Sequence, residues 1–166
     1  MNTKQATALY TKNFIFGVED SLVSTVGLLS GVAAAGMAKH TIFLTGVILI
    51  FVEAFSMGVG SFLAEQSVEE YEESDKVAPT KSIISGLIMF ASYFASGFIP
   101  LFPYVVFEVS TAFWTAITLT LTALFLLGII SASRFHHKDL FRHGIRMLLV
   151  GGLAIVAGVA VGKIIA

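Results

Sequence analysis

The sequence has no cysteine among its 166 residues. Disulfides, thiolate metal sites and cysteine nucleophiles are excluded together. Charge is scarce as well: Asp, Glu, Lys and Arg make up 13% of the chain, about half the share that a soluble domain carries. Too few polar residues exist to coat a water-facing surface. The formal net charge of −1 excludes the basic surface that nucleic acid requires, so no nucleic-acid partner is expected. Proline occurs three times and tryptophan once. The HExxH, GxSxG and phosphate-loop patterns of soluble active sites are missing. No enzyme and no permanently bound cofactor are expected.

What is there is apolar. Hydrophobic residues make up 56% of the chain, including 15 phenylalanines. Five stretches stand out: Phe14–Met37, Thr41–Ala64, Ile83–Pro103, Val105–Ser131 and Ile145–Ala166. Each is long enough, at about 1.5 Å per residue, to cross a hydrocarbon core of about 30 Å. None alternates apolar and polar residues as a barrel strand does. The expectation is an all-α, polytopic membrane protein with five transmembrane helices. The first run is too long for a signal-peptide core, and no cleavable signal is evident. The connections are short, so a single domain spanning residues 1–166 is expected. Ala38–His40 reads as a tight turn, and Pro100 and Pro103 as the end of the third helix. Glu65–Lys81 is acidic and Arg134–Arg146 basic.

With five spans, the N-terminus shares a side with the second and fourth connections. Eight of the ten Lys and Arg residues fall on that side, leaving Lys39 and Lys163 on the other. The positive-inside rule therefore places the N-terminus in the cytoplasm.

Three carboxylates lie within the apolar stretches: Glu19, Asp20 and Glu53. A charge at the bilayer centre costs about 2.5–3.5 kcal/mol on insertion scales. No Lys or Arg lies near enough along the spans to pair with them, so a proton, a metal ion or water must compensate. At about 100° per residue, Gly17, Ser24, Gly27, Gly31, Ala34 and Ala35 fall within about 60° of Asp20. Such a stripe of small residues admits a close helix neighbour, so Asp20 is expected to face protein. Glu19 points about 100° away, toward the cytoplasmic mouth. In the second stretch Gly46, Met57, Gly60 and Ala64 share a face with Glu53. Glu53 and Met57 are one turn apart and reach the same point. Carboxylate oxygens suit hard divalent ions and a thioether adds softness. Asp20, Glu53 and Met57, with Glu19 near by, read as a transient site for a first-row divalent metal. The fifth stretch carries glycines at 144, 151, 158 and 162, which read as helix packing alone.

Glu65, Glu69, Glu72 and Glu73 follow the second stretch and line one side if the helix continues. Acidic residues at a helix C-terminus oppose its macrodipole by about 0.3–1 kcal/mol each. A cation drawn to them offsets that, so they read as a cytosolic collecting site. His136, His137 and His143 stand among basic neighbours that favour anionic lipid headgroups over a metal.

Phe16-Gly17-Val18-Glu19-Asp20-Ser21-Leu22-Val23-Ser24-Thr25, followed by Gly27 and Gly31, resembles the first-helix motif of the vacuolar iron transporter family. That family includes the yeast vacuolar iron and manganese transporter and nodulin-like relatives. Ser56-Met57-Gly58-Val59-Gly60 is similar to its second-helix motif. The resemblance implies transport of Fe(II) or Mn(II) out of the cytosol by proton antiport. It also implies a homodimer with its pathway at the two-fold interface, and metal as substrate rather than cofactor. Asp20 then matches the pathway aspartate and Met57 the pathway methionine, with Gly27 and Gly31 on a helix facing its symmetry mate. Plant-type members insert a long metal-binding domain after the second span; here only Glu65–Lys81 occupies that place. Ser61 and Asn13 stand where acidic residues are common, and Glu53 where a small one is. The short form points to a prokaryotic cytoplasmic membrane, with a vacuolar membrane as the other setting. Two other classes remain open on the residues alone: a non-transporting membrane scaffold, and a pathway for protons or monovalent cations.

Overall fold

The structure, a computed structural model, describes residues 3–72, 80–134 and 139–166. Within hydrocarbon every backbone N–H and C=O needs an internal partner, which a helix supplies along its own length. All the described elements are accordingly helices: α1 (Thr3–Ala34), α2 (Lys39–Glu72), α3 (Thr80–Val106), α4 (Val109–Arg134) and α5 (Leu140–Ile165). All five are long and apolar enough to cross a membrane. Their outward faces present Phe55 on α2, Trp114 on α4, and Leu153, Val156 and Ile164 on α5. In water such a surface would be an aggregation hazard; against acyl chains it is the expected coat. The chain is an integral multi-pass membrane protein.

α1 and α3 are the most buried of the five helices and α5 the least. α1 lies against α3 and α5, α2 chiefly against α3, and α4 against α5 and α3. Leu29, Ile42, Ile50, Leu101, Tyr104, Ala112 and Ala116 form a core that ties α1 to α4 together.

The glycine stripes set the closest approaches. A Cβ on Gly31 would lie 2.6 Å from the Gly158 carbonyl oxygen, and one on Gly27 would lie 3.2 Å from that of Ala154. Reciprocally, Cβ atoms on Gly158 and Gly162 would fall on the carbonyl oxygens of Gly27 and Gly31. The small-residue face of α1 thus packs against α5 of the same chain. Two further glycines of α5 serve α4: a Cβ on Gly144 would meet the Phe125 ring at 2.7 Å, and one on Gly151 would meet Leu124.

Two local expectations are corrected. Pro100 and Pro103 do not end α3, which runs on to Val106, and Phe107 N–H still reaches the Pro103 carbonyl at 2.9 Å. Leaving the helix would strand backbone groups in hydrocarbon, which exceeds the loss at two buried prolines. The first turn also comes earlier than Ala38. α1 stops at Ala34, where Gly36 takes φ +75°. Gly36 N–H bonds the Ala33 carbonyl and Met37 N–H that of Val32, a Schellman close that favours glycine. α2 restarts at Lys39.

α2 has 34 residues, about 50 Å of helix. It is longer than a hydrocarbon core of about 30 Å requires.

A polar seam between the first three helices

Asp20, Glu53 and Tyr93 come from α1, α2 and α3 and lie within electrostatic reach of one another. The level is fixed by two hydrogen bonds from α1 to α3. Ser21 Oγ donates to the Tyr93 carbonyl at 2.7 Å, and Ser24 Oγ lies 2.6 Å from the Tyr93 hydroxyl. Tyr93 is fully buried, while Asp20 and Glu53 are half-buried. Among the described residues, no hydrogen bond or ion pair satisfies either carboxylate. Among the described residues neither has a counter-ion, in a span where an ionised carboxylate is costly.

Two turns along the helices toward the N-terminus of α1 lies a neutral layer. Asn13 Nδ2 donates to Ser61 Oγ at 3.1 Å and also to Ser85 Oγ, and the two serines are 3.2 Å apart. All three helices meet there again. One further step out, Ser82 Oγ donates to Glu69 Oε2 at 2.7 Å. Glu69 Oε1 is buried and has no partner among the described residues.

Met57 and Met89 stand between the carboxylate layer and the Asn13 layer. Both line a cavity of about 460 Å³ that also touches Lys12, Asn13, Ser61 and Glu65. A second cavity, about 980 Å³, lies on the other side of the carboxylates. Its walls are mostly apolar, from Gly27, Gly31, Met37 and α5, with Ser24, Thr41 and Thr45 as polar groups. The Asp20 level therefore separates two cavities that lie toward opposite ends of the helices.

Of the residues singled out from sequence, Asp20 and Glu53 are brought together, with Met57 one turn from Glu53. Glu19 neighbours Asp20 and feels its charge, yet Glu19, Asp20 and Glu53 do not converge on one point. Among the described residues no three carboxylate or imidazole groups form a metal cluster. Glu65 lines the smaller cavity and Glu69 is held by Ser82. Glu72 ends α2. Glu73 lies outside the described residues, as do His136 and His137.

Sequence reasoning missed Tyr93, Met89 and the serines of α3. Ser82, Ser85, Ser92 and Ser96 are all buried, and their spacing of three, seven and four residues is a helical face. That spacing was the available signal.

Residues 11–83 and residues 74–163 match the VIT family. No curated protein matches the sequence. The family's members are transporters and not enzymes, and membership implies iron or manganese as the cargo. The match covers all five helices and both layers of the seam, so the chain belongs to the VIT family of vacuolar iron transporters, in a short form consistent with lack of the cytosolic domain.

Proposed function

We propose that the chain exports Fe(II) or Mn(II) from the cytosol in exchange for protons. The observation that supports this is the position of Asp20 and Glu53, two carboxylates without a partner among the described residues, between two cavities. Metal gathers at Glu65, Glu69, Glu72 and Glu73 and passes the smaller cavity. It is then held by Asp20 and Glu53 with Met57 as a soft ligand, and Glu19 contributes charge beside them. A carboxylate binds a divalent ion only when deprotonated. Protons arriving from the far side release the metal into the larger cavity, and the exchange is antiport. The N-terminus lies in the cytoplasm, and the membrane is a prokaryotic cytoplasmic membrane.

The working unit is a homodimer. The α2 face that carries Glu53 also carries Ser56 and Gly60, both exposed in the single chain. A carboxylate half-open to lipid costs about 2.5–3.5 kcal/mol at the bilayer centre, and a second copy removes that exposure. Two copies also bring two Asp20–Glu53 pairs toward one ion, enough oxygen ligands for a first-row metal. A Cβ on Gly60 has no other described helix within 4 Å. Gly60→Leu is expected to leave the protomer folded and convert dimer to monomer, read by light scattering in detergent. An unchanged dimer would remove this face of α2 from the interface.

The transport reading is tested by uptake into liposomes under an imposed pH gradient. Fe(II) or Mn(II) uptake that follows the sign of the gradient is expected. Folded protein that moves neither metal, under either gradient direction, returns the chain to the scaffold reading. Conductance without divalent ions would favour the proton or monovalent-cation pathway.

A further inference from the structure

Met57 is four residues from Glu53 and four from Ser61; Met89 is four from Tyr93 and four from Ser85. Glu53 and Tyr93 share the carboxylate level, and Ser61 and Ser85 share the Asn13 level. Both thioethers therefore sit one helical turn from each layer, level with each other on α2 and α3. They line the same cavity. The α1 residue at that height is Gly17, and a Cβ there would lie 3.2 Å from the Met89 sulfur. The absence of a side chain on α1 leaves the sulfur lodged against backbone, one turn from Asp20. Met89 is 3% exposed, so its sulfur is held in place rather than sampling solvent.

We propose that Met89 supplies a second thioether to the transported metal, across from Met57, so that the passage between the two polar layers favours softer divalent ions. The assignment rests on the transport reading above. Any ion leaving the Asn13 layer for Asp20 passes this level, where two sulfurs stand beside the Ser92 hydroxyl, whose proton is given to the Met89 carbonyl at 3.0 Å. Thioethers discriminate among cations by softness, whereas carboxylates and hydroxyls suit hard ions. Fe(II) is softer than Mn(II) and stands above it in affinity for mixed-donor sites. Two thioethers in series therefore set a preference for Fe(II) that the oxygen ligands alone do not.

The test is liposome uptake of Fe(II), kept reduced, and of Mn(II), by wild type and by Met89→Leu. Leucine preserves most of the volume and removes the sulfur. The Fe(II)-to-Mn(II) uptake ratio is expected to fall at least about threefold, with Mn(II) uptake kept within about twofold, as loss of one soft ligand requires. An unchanged ratio, or equal loss of both metals, assigns Met89 to packing and overturns the proposal. If the leucine protein does not fold, Met89→Gln keeps an unbranched chain of similar length with an oxygen donor, and the same ratio decides. A wild type that carries neither metal defeats the transport reading and this assignment with it. A wild type that carries both, beside an unaltered variant ratio, defeats only the assignment.

Discussion

Asp20→Asn is expected to leave the protein folded and to lower metal uptake at least tenfold. Asparagine has the shape of aspartate without its charge or its titration. The helix level is fixed by neighbours that the change does not touch, since Ser21 and Ser24 hold α1 to Tyr93. Folding is therefore spared; removing an uncompensated intramembrane charge also relieves a cost of about 2.5–3.5 kcal/mol. Transport is not spared. A charged contact contributes about 1.5–3 kcal/mol, which at about 1.4 kcal/mol per decade is roughly tenfold to a hundredfold in rate. Under the proposed antiport the variant also loses a titrating group from the path, so residual uptake is expected to stop following the pH gradient. Uptake is read in liposomes and folding by thermal unfolding in the same detergent. Uptake at wild-type level from folded Asp20→Asn would remove Asp20 from the path.

The family resemblance gives two departures a common cause. The resemblance implies acidic residues at the positions of Asn13 and Ser61, and the two side chains here are bonded to each other. Two acids at this distance repel unless a cation lies between them. An amide and a hydroxyl satisfy each other, with Ser85 as the third member. The layer is neutral and its three members satisfy one another, so a single change at Asn13 or Ser61 would leave an unmatched partner. Glu53 stands two turns deeper, within electrostatic reach of Asp20.

Much of this was legible from the sequence because membrane insertion penalises charge heavily. Asp20 and Glu53 stand out among apolar neighbours, and five uninterrupted apolar stretches admit one secondary structure. Met57 was legible through its spacing from Glu53. The buried serines of α3, Tyr93 and Met89 were not, because a hydroxyl or a thioether in a span carries a small penalty and does not announce itself. Gly27 and Gly31 showed that something approaches α1 closely. They did not show what, since a stripe of small residues accepts any helix with a matching stripe, and α5 of the same chain carries one. Pro100 and Pro103 misled because helix-breaking tendencies are measured in water, where a broken helix finds solvent partners that hydrocarbon does not provide.

That contact between α1 and α5 gives the second large effect, on stability. Gly158→Leu is expected to destabilise the protein by about 3 kcal/mol or more, at or beyond the upper end for overpacked cores. At about 2–4 °C per kcal/mol for chains of this size, the melting temperature falls by roughly 6–12 °C. The reason is the nature of the atoms that must move. A Cβ at this position falls on the backbone carbonyl oxygen of Gly27, and backbone in a helix cannot swing aside as a side chain can. Gly162 stands in the same relation to Gly31, so α5 is obstructed from following a shift at Gly158 without clashing one turn later. The strain is relieved only by parting the two helices, which gives up the packing that holds α5, the least buried of the five. Gly152→Leu is the matched control, because a Cβ there meets nothing within 4 Å. It adds the same apolar volume to the same helix and is expected to shift the melting temperature by no more than the roughly 2 °C of a neutral surface change. Equal melting temperatures for the two variants would mean that α5 does not rest on α1 through its glycines.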